Sequence, residues 1–134
     1  MMKKIVVISI IALFALGAFG QSKTLLSEFG YTSDTVTNTG TVYMSVGATF
    51  SSINTLSVSA KSVNVSGTTA GTAVLQHSIN GSDFVTHPTA DTLTLSDGAV
   101  HIWTVDSDVI KYRVKLTGTG TGVSIVSGNY VHKK

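Results

Sequence analysis

Two histidines and one aspartate lie within a short stretch of the sequence, SGTTAGTAVLQHSINGSDFVTH, at residues 66–87. His77, Asp83 and His87 carry imidazole and carboxylate groups, which are suitable zinc ligands. The stretch contains no His-x-His or His-x-x-x-His pair that would bring two imidazoles to one point. We therefore interpret these histidines as residues of a strand edge or a solvent-facing strand, and we predict no metal site.

Nucleophilic catalysis requires a nucleophile, a base and an orienting acid in one place. The chain has four histidines and many serines, but it has no G-x-S-x-G elbow to expose a serine. Asp106 and Asp108, in VDSDV, lack the glycine and the distal glutamate of an EF-hand calcium loop, so they are interpreted as a polar turn. The sequence predicts no catalytic residue, no enzyme activity and no cofactor.

Aromatic rings are the remaining candidates for binding, because an exposed ring offers a flat apolar surface on which a sugar can stack. Trp103 and Tyr112 lie in the most apolar segments, so we expect them in the core. Tyr31, Phe50 and Tyr130 lie near predicted loops. These three are the candidate ligand-binding residues.

These side chains must be positioned by strands, because apolar and polar residues alternate along most of the chain with a period of two. Residues 41–46 alternate cleanly. The segment 56–65 also alternates but slips by one residue at Lys61 or Ser62, which predicts a β-bulge or a bend.

A hairpin is predicted where two alternating segments, TAVLQHS and SDFVTH, flank Asn80-Gly81. This dipeptide tolerates the positive φ of a tight hairpin turn better than other pairs. We expect Asn80 and Gly81 to set the strand register, with Leu75 and Phe84 as core contacts.

The second half of the chain continues in strands. The segment AVHIWTV, at residues 99–105, is apolar on both faces, which predicts a central, buried strand. Residues 109–116 alternate, with Lys111, Arg113 and Lys115 on the solvent face. About eight short strands separated by turn signals predict an all-β fold, a single antiparallel β-sandwich that is jelly-roll-like.

The first 20 residues have the layout of a secretory signal peptide, with Lys3 and Lys4 before an apolar run. That run, residues 5–19, is shorter than the roughly 18 residues that span a membrane, so the membrane is a partner only if the leader stays uncleaved. We predict cleavage after Gly20, a β-sandwich domain at residues 21–134, and export to the exterior, the cell surface or a virion.

Lys3 and Lys4 account for the whole net charge of +2, so the chain without its leader is close to neutral. Such a chain gives little support to nucleic-acid binding through phosphate neutralisation. Cysteine is absent, so core packing and sheet hydrogen bonds must hold the exported domain together. The length allows one domain with one core.

Two segments, SGTTAGTAVLQHSINGSDF and IKYRVKLTGTGT, combine a Ser-Gly-Thr, a Leu-Gln-x-Ser strand, an Asn-Gly turn, an aromatic residue and a Tyr-x-Arg-Val strand. This pattern resembles small β-sandwich virion domains encoded by tailed phages of Bacteroidetes hosts and related prophages. The resemblance implies a decoration or fibre-like protein that binds coat proteins or a host surface. The residues that carry it are Ser66, Gly67, Thr68, Leu75, Gln76, Ser78, Asn80, Gly81, Phe84, Tyr112, Arg113 and Val114.

The function predicted from these patterns is that of a non-enzymatic, exported structural or adhesive module, associated with a virion. Its expected partners are other virion or cell-surface proteins, host surface glycans, and copies of itself in a homo-oligomer. Nucleic acid is not among them. The alternative is a secreted bacterial cell-surface module that binds glycans.

Overall fold

The computed structural model describes residues 21–47, 55–106 and 111–133 of the chain. Within these ranges no helix is long and apolar enough to cross a membrane. The described residues form eleven strands: β1 (Lys23–Thr24), β2 (Leu26–Ser27), β3 (Ser33–Thr37), β4 (Thr41–Ser45), β5 (Thr55–Ser66), β6 (Gly71–Ser78), β7 (Val85–Thr86), β8 (Thr92–Thr94), β9 (Val100–Asp106), β10 (Lys111–Gly118) and β11 (Val123–Lys133).

The strands form two antiparallel sheets that pack as a sandwich. The five-stranded sheet has the order β1-β11-β5-β9, and β3 also pairs with β11. The six-stranded sheet has the order β2-β4-β10-β6-β7, and β8 also pairs with β6. The predicted all-β, antiparallel sandwich is confirmed. The strand number exceeds the predicted eight because β1, β2, β7 and β8 are only two or three residues long.

The core lies between the two sheets and is built from alternate residues of each strand. Successive side chains of a strand point to opposite faces, so one set can be buried while the other meets water. In β10 the buried set contains Tyr112 and Val114. Leu75 of β6 and Trp103 of β9 are buried with them.

Strand β5 differs from its predicted course. Its alternation continues through Ser62, which is 0% exposed, and places Val63 on the solvent face, 40% exposed. The predicted phase slip at Lys61 or Ser62 is therefore wrong. The register shift of this strand pair lies between Val123 and Ser124 of β11.

Strand β9 is an edge strand, so the prediction of a central, buried strand is wrong. It pairs with β5 on one side, and it ends the order of the five-stranded sheet. Trp103 and Val105 point into the core, whereas Val100 and Ile102 are 57% and 63% exposed. The apolar residues on the second face of this strand are exposed rather than covered.

The predicted hairpin is present, but its turn is longer than Asn80-Gly81 alone. Strands β6 and β7 pair antiparallel, and residues 79–84 connect them. Gly81 has a φ of 79°, the conformation for which glycine is favoured. Phe84 lies in this loop and outside the core, so its predicted core contact is wrong.

Candidate binding surface

Three cationic side chains stand in a row on the outer face of the six-stranded sheet. Lys111, Arg113 and Lys115 are alternate residues of β10, and the residues between them are buried. In the strand register Arg113 lies opposite Ser45 of β4 and Gln76 of β6. Because β10 has a neighbour on each side, the row runs along the middle of the sheet.

Arg113 is held between two aromatic rings. Its Cζ atom lies 3.9 Å from the centroid of the Tyr43 ring and 3.9 Å from the centroid of the Phe84 ring, within the range of a cation–π interaction. Its Nε donates a hydrogen bond to Gln76 Oε1 at 2.8 Å. The guanidinium is thus fixed on both flat faces and at Nε. We refer to this group, together with Lys111 and Lys115, as the Arg113 face.

The loop of residues 79–84 carries Phe84 onto Arg113, and Asn80 shapes that loop. Asn80 Oδ1 accepts hydrogen bonds from the backbone N–H groups of Ser82 and Asp83 at 2.9 and 2.8 Å. Asn80 Nδ2 donates to Asp83 Oδ2 at 2.6 Å. A side chain that bonds to the backbone just after it favours a turn over a continuing strand.

A cleft with a volume of about 460 Å³ lies beside the aromatic stack. Ser45 and Gly47 line it from the end of β4, Gly81 and Phe84 from the loop, and Lys111 from β10. Small-molecule sites typically enclose roughly 300–1,000 Å³. The cleft is therefore large enough for a ligand of one or two sugar rings.

No carboxylate is built into the strands of this face. Strands β4, β6 and β10 contain neither aspartate nor glutamate. Asp83, in the adjoining loop, accepts its hydrogen bond from Asn80. Within the described ranges the one ion pair joins His101 to Asp91, so the three cations of the Arg113 face make none there.

His77 and His87 come together beside Tyr112. Their ring centroids are 4.9 Å apart, and the Tyr112 ring lies 6.4 and 6.2 Å from them. Burial, and after it the neighbouring His77, lowers the pKa of His87 and favours its neutral form. His87 follows an edge strand as expected, but both rings are half-buried and not solvent-facing. Among the described residues no group of three His, Cys, Asp or Glu side chains could hold a metal ion.

His101 and Asp91 form a close histidine–carboxylate pair, with 2.8 Å between Nε2 and Oδ1. The Asp91 side chain is 72% exposed, and its backbone oxygen accepts a hydrogen bond from Trp103 Nε1 at 2.8 Å. In the part of the chain that the structure describes, no serine or threonine hydroxyl is hydrogen-bonded to His101. These bonds attach the segment before β8 to the edge strand β9.

The three aromatic residues singled out from the sequence lie in different environments or outside the described residues. Tyr31 lies in the turn after β2 and is 68% exposed. Phe29, two residues before it, is 78% exposed and was not selected from the sequence. Phe50 lies outside the described residues. Tyr130 is inside β11 and 4% exposed, so the prediction that it lies at a loop is wrong. Burial raises the pKa of its phenol.

Sequence reasoning missed Tyr43 as a site residue, although a signal for it was present. Tyr43 alternates with the buried Met44 in β4, which places its ring on the solvent face. Among the residues that carry the resemblance to phage virion domains, Leu75 and Tyr112 are in the core. Five others form or adjoin the Arg113 face: Gln76, Asn80, Gly81, Phe84 and Arg113.

The sequence matches no protein-family model and no curated protein. Among solved structures, the Yersinia pseudotuberculosis-derived mitogen aligns with a TM-score of 0.51 at 10% identity, over 86% of this chain and 88% of its own. PirA aligns with a TM-score of 0.50 at 9% identity, over 75% and 91%. The N-terminal cellulose-binding domain of Cellulomonas fimi β-1,4-glucanase C aligns with a TM-score of 0.48 at 8% identity, over 81% and 82%. At these identities the likeness shows the sandwich fold alone.

Proposed function

We propose that this chain is a non-catalytic adhesive module that is exported through its first 20 residues and binds glycans on the Arg113 face. The observation that carries the proposal is the stack of Tyr43, Arg113 and Phe84 beside the cleft. The stack is preformed, so a ligand does not have to order these side chains when it binds.

Glycans fit this surface because it combines rings with hydrogen-bonding groups. Tyr43 and Phe84 are both partly exposed, and a sugar can lay its apolar C–H face on such a ring. Ser45 and Lys111, which line the cleft, offer donors and acceptors to sugar hydroxyls. The site is shallow and open, which suits a polymer chain that continues beyond the contact.

A second candidate function is assembly into a virion or a surface layer, the role that the resemblance to phage virion domains implies. The five-stranded sheet favours it, because exposed aliphatic side chains lie on its outer face. Val63 of β5 lies opposite Ile125 of β11 in the register, 40% and 44% exposed. Val100 and Ile102 add the edge strand to this surface. The oligomeric state of the protein tests this candidate.

The glycan proposal is tested on a glycan array with the protein and the variants Tyr43→Ala and Phe84→Ala. We expect each variant to weaken binding about tenfold, because each removes one ring of the stack. Ile102→Ala is the matched control, since it removes an exposed apolar side chain from the other sheet. Each variant is first shown to melt at a temperature close to that of the unmodified protein.

Two results contradict the proposal in different ways. If the folded protein binds no glycan on the array, the function is wrong. If Tyr31→Ala abolishes binding while Tyr43→Ala leaves it unchanged, glycans bind at the turn after β2, and the Arg113 face is the wrong site.

A further inference from the structure

We propose that the ligand of the Arg113 face is an acidic glycan, whose carboxylate or sulfate groups are bound by Arg113 with Lys111 and Lys115. This inference rests on the proposed glycan binding and names the chemical class of its ligand. Three observations support it: the free donors of Arg113, the spacing of the lysines, and the absence of carboxylates from the strands of the face.

Arg113 has hydrogen-bond donors that the described protein does not use. Its Nε donates to Gln76, and the two rings cover its flat faces. No protein acceptor within the described ranges bonds to its terminal Nη atoms. A guanidinium fork held in this way presents two parallel N–H groups, which match the two oxygens of a carboxylate or sulfate.

Lys111 and Lys115 extend this positive site along one line. They are two residues before and after Arg113 in β10, so their side chains leave the same face about 7 Å from it along the strand. A polymer with an acidic group on successive sugars can contact more than one of these cations at once. A single small anion would contact only one or two.

The local charge is uncompensated within the described chain, which itself favours an anionic partner. Neighbouring cations repel one another, and an acidic ligand relieves that repulsion. Asp106, the nearest acidic residue in sequence that the structure describes, ends β9 in the other sheet, and Asp108 lies outside the described residues. Asp83 bonds to Asn80 in the loop. Neither Asp106 nor Asp83 lies on the strands that form the Arg113 face.

The test compares polymers that differ in charge alone or in the type of acid. Dextran and dextran sulfate share a backbone, and polygalacturonate supplies carboxylates. We expect the protein to bind dextran sulfate or polygalacturonate at least about tenfold more tightly than dextran. Raising the salt from about 0.1 M to about 1 M shortens the screening length from about 10 Å to about 3 Å, so this binding should weaken.

Three variants test whether the acidic polymer binds at the Arg113 face. Arg113→Lys keeps the charge but loses the fork, and we expect about tenfold weaker binding of the acidic polymer. Lys115→Gln removes one flanking charge, opposite Tyr43 in the register, and leaves the three residues of the stack themselves unchanged; a loss of about threefold is expected. Lys61→Gln is the matched control, because it removes the same charge from the other sheet and should leave binding unchanged.

The outcomes separate this inference from the proposed function. If dextran binds as well as dextran sulfate and the Tyr43→Ala variant loses both, glycan binding stands and the acidic class is wrong. If Lys61→Gln weakens binding as much as Lys115→Gln, the attraction is non-specific and the site is wrong. If a single-stranded oligonucleotide binds as tightly as the best acidic polymer, the face recognises polyanions in general, and the glycan assignment is overturned.

Discussion

At Gly71, where β6 approaches β10, the backbone conformation and the surrounding space both require glycine. Its φ is 142°, a conformation that side chains disfavour, and it lies opposite Gly118 in the register. A Cβ atom at this position would meet the backbone oxygen of Thr117 and lie 2.9 Å from the Cα of Gly118. The two strands can approach this closely only because Gly71 lacks a side chain, whereas a Cβ at Gly118 would meet Asn38 and Val36 instead of β6.

We therefore expect Gly71→Ala to destabilise the protein by about 2–5 kcal/mol, through backbone strain and a steric clash together. Gly98→Ala is the control, because Gly98 also has a positive φ of 71° but has open space around the added Cβ. The Gly98 variant should lower the free energy of unfolding by only about 1–2 kcal/mol. Urea denaturation measures both losses. Equal losses would show that strain alone, and not the approach of β10, constrains Gly71.

For individual residues, the sequence predicted which face of a strand a side chain occupies better than it predicted which residues that side chain contacts. Alternation in β10 correctly placed Arg113 and its neighbouring lysines on the solvent face. It could not predict that Phe84 would lie on Arg113, because that contact depends on the path of a loop. Tyr130 was misplaced for a related reason: β11 extends to Lys133, so a residue near the end of the chain is still inside a strand.

The loop between β6 and β7 is the element on which the Arg113 face depends. It has little apolar burial of its own, and the hydrogen bonds of Asn80 define its shape. Phe84 covers one side of Arg113 only while this loop keeps that shape. Binding at the face should therefore respond to a change made at the tip of the loop.

We expect Asn80→Ala to lower the stability by about 1–2 kcal/mol, since it removes hydrogen bonds to two backbone N–H groups. Binding of the acidic polymer should also weaken, although Asn80 lies outside the stack. Ser82→Ala is the control, because its backbone N–H keeps the bond to Asn80. Calorimetric melting and polymer titration measure the two effects. Unchanged binding by the Asn80 variant would mean that the loop does not need Asn80 to hold Phe84.

The errors at the level of strands have a common physical cause. Local alternation reports which residues can be buried, whereas the order of strands decides which are buried. Residues 99–105 are apolar on both faces, but among the strands that the structure describes β9 has no further sheet layer over its outer face and no neighbour on one side. In β5 the buried Ser62 and the exposed Val63 invert the usual preference, so a pattern based on polarity shifts by one residue.

The whole molecule has two outer faces of opposite character. The six-stranded sheet presents a row of cations and rings, and the five-stranded sheet presents aliphatic side chains and Lys61 among serines and threonines. Apolar residues exposed on a sheet with an open edge are typical of surfaces that pair with another chain. The sequence predicted the two-layer class correctly, but this division required the strand order.

We expect the protein to self-associate through the five-stranded sheet and its edge strand β9. Ile102→Lys should shift it toward the monomer, because a charge then replaces an exposed apolar side chain at that edge. Val74→Lys places the same change on the six-stranded sheet and should not alter the oligomeric state. Sedimentation velocity across a range of protein concentrations measures both. A monomer at every concentration would contradict assembly by this face.

The alternation of β10 also separates two kinds of evolutionary change. Tyr112, Val114 and Leu116 are held by the core, and substitution of any one disturbs both sheets. Lys111, Arg113 and Lys115 contact only the outer face, so mutation can exchange them while the scaffold stays the same. Selection for a new ligand can therefore act on every second codon of this strand, with the intervening codons kept constant by folding.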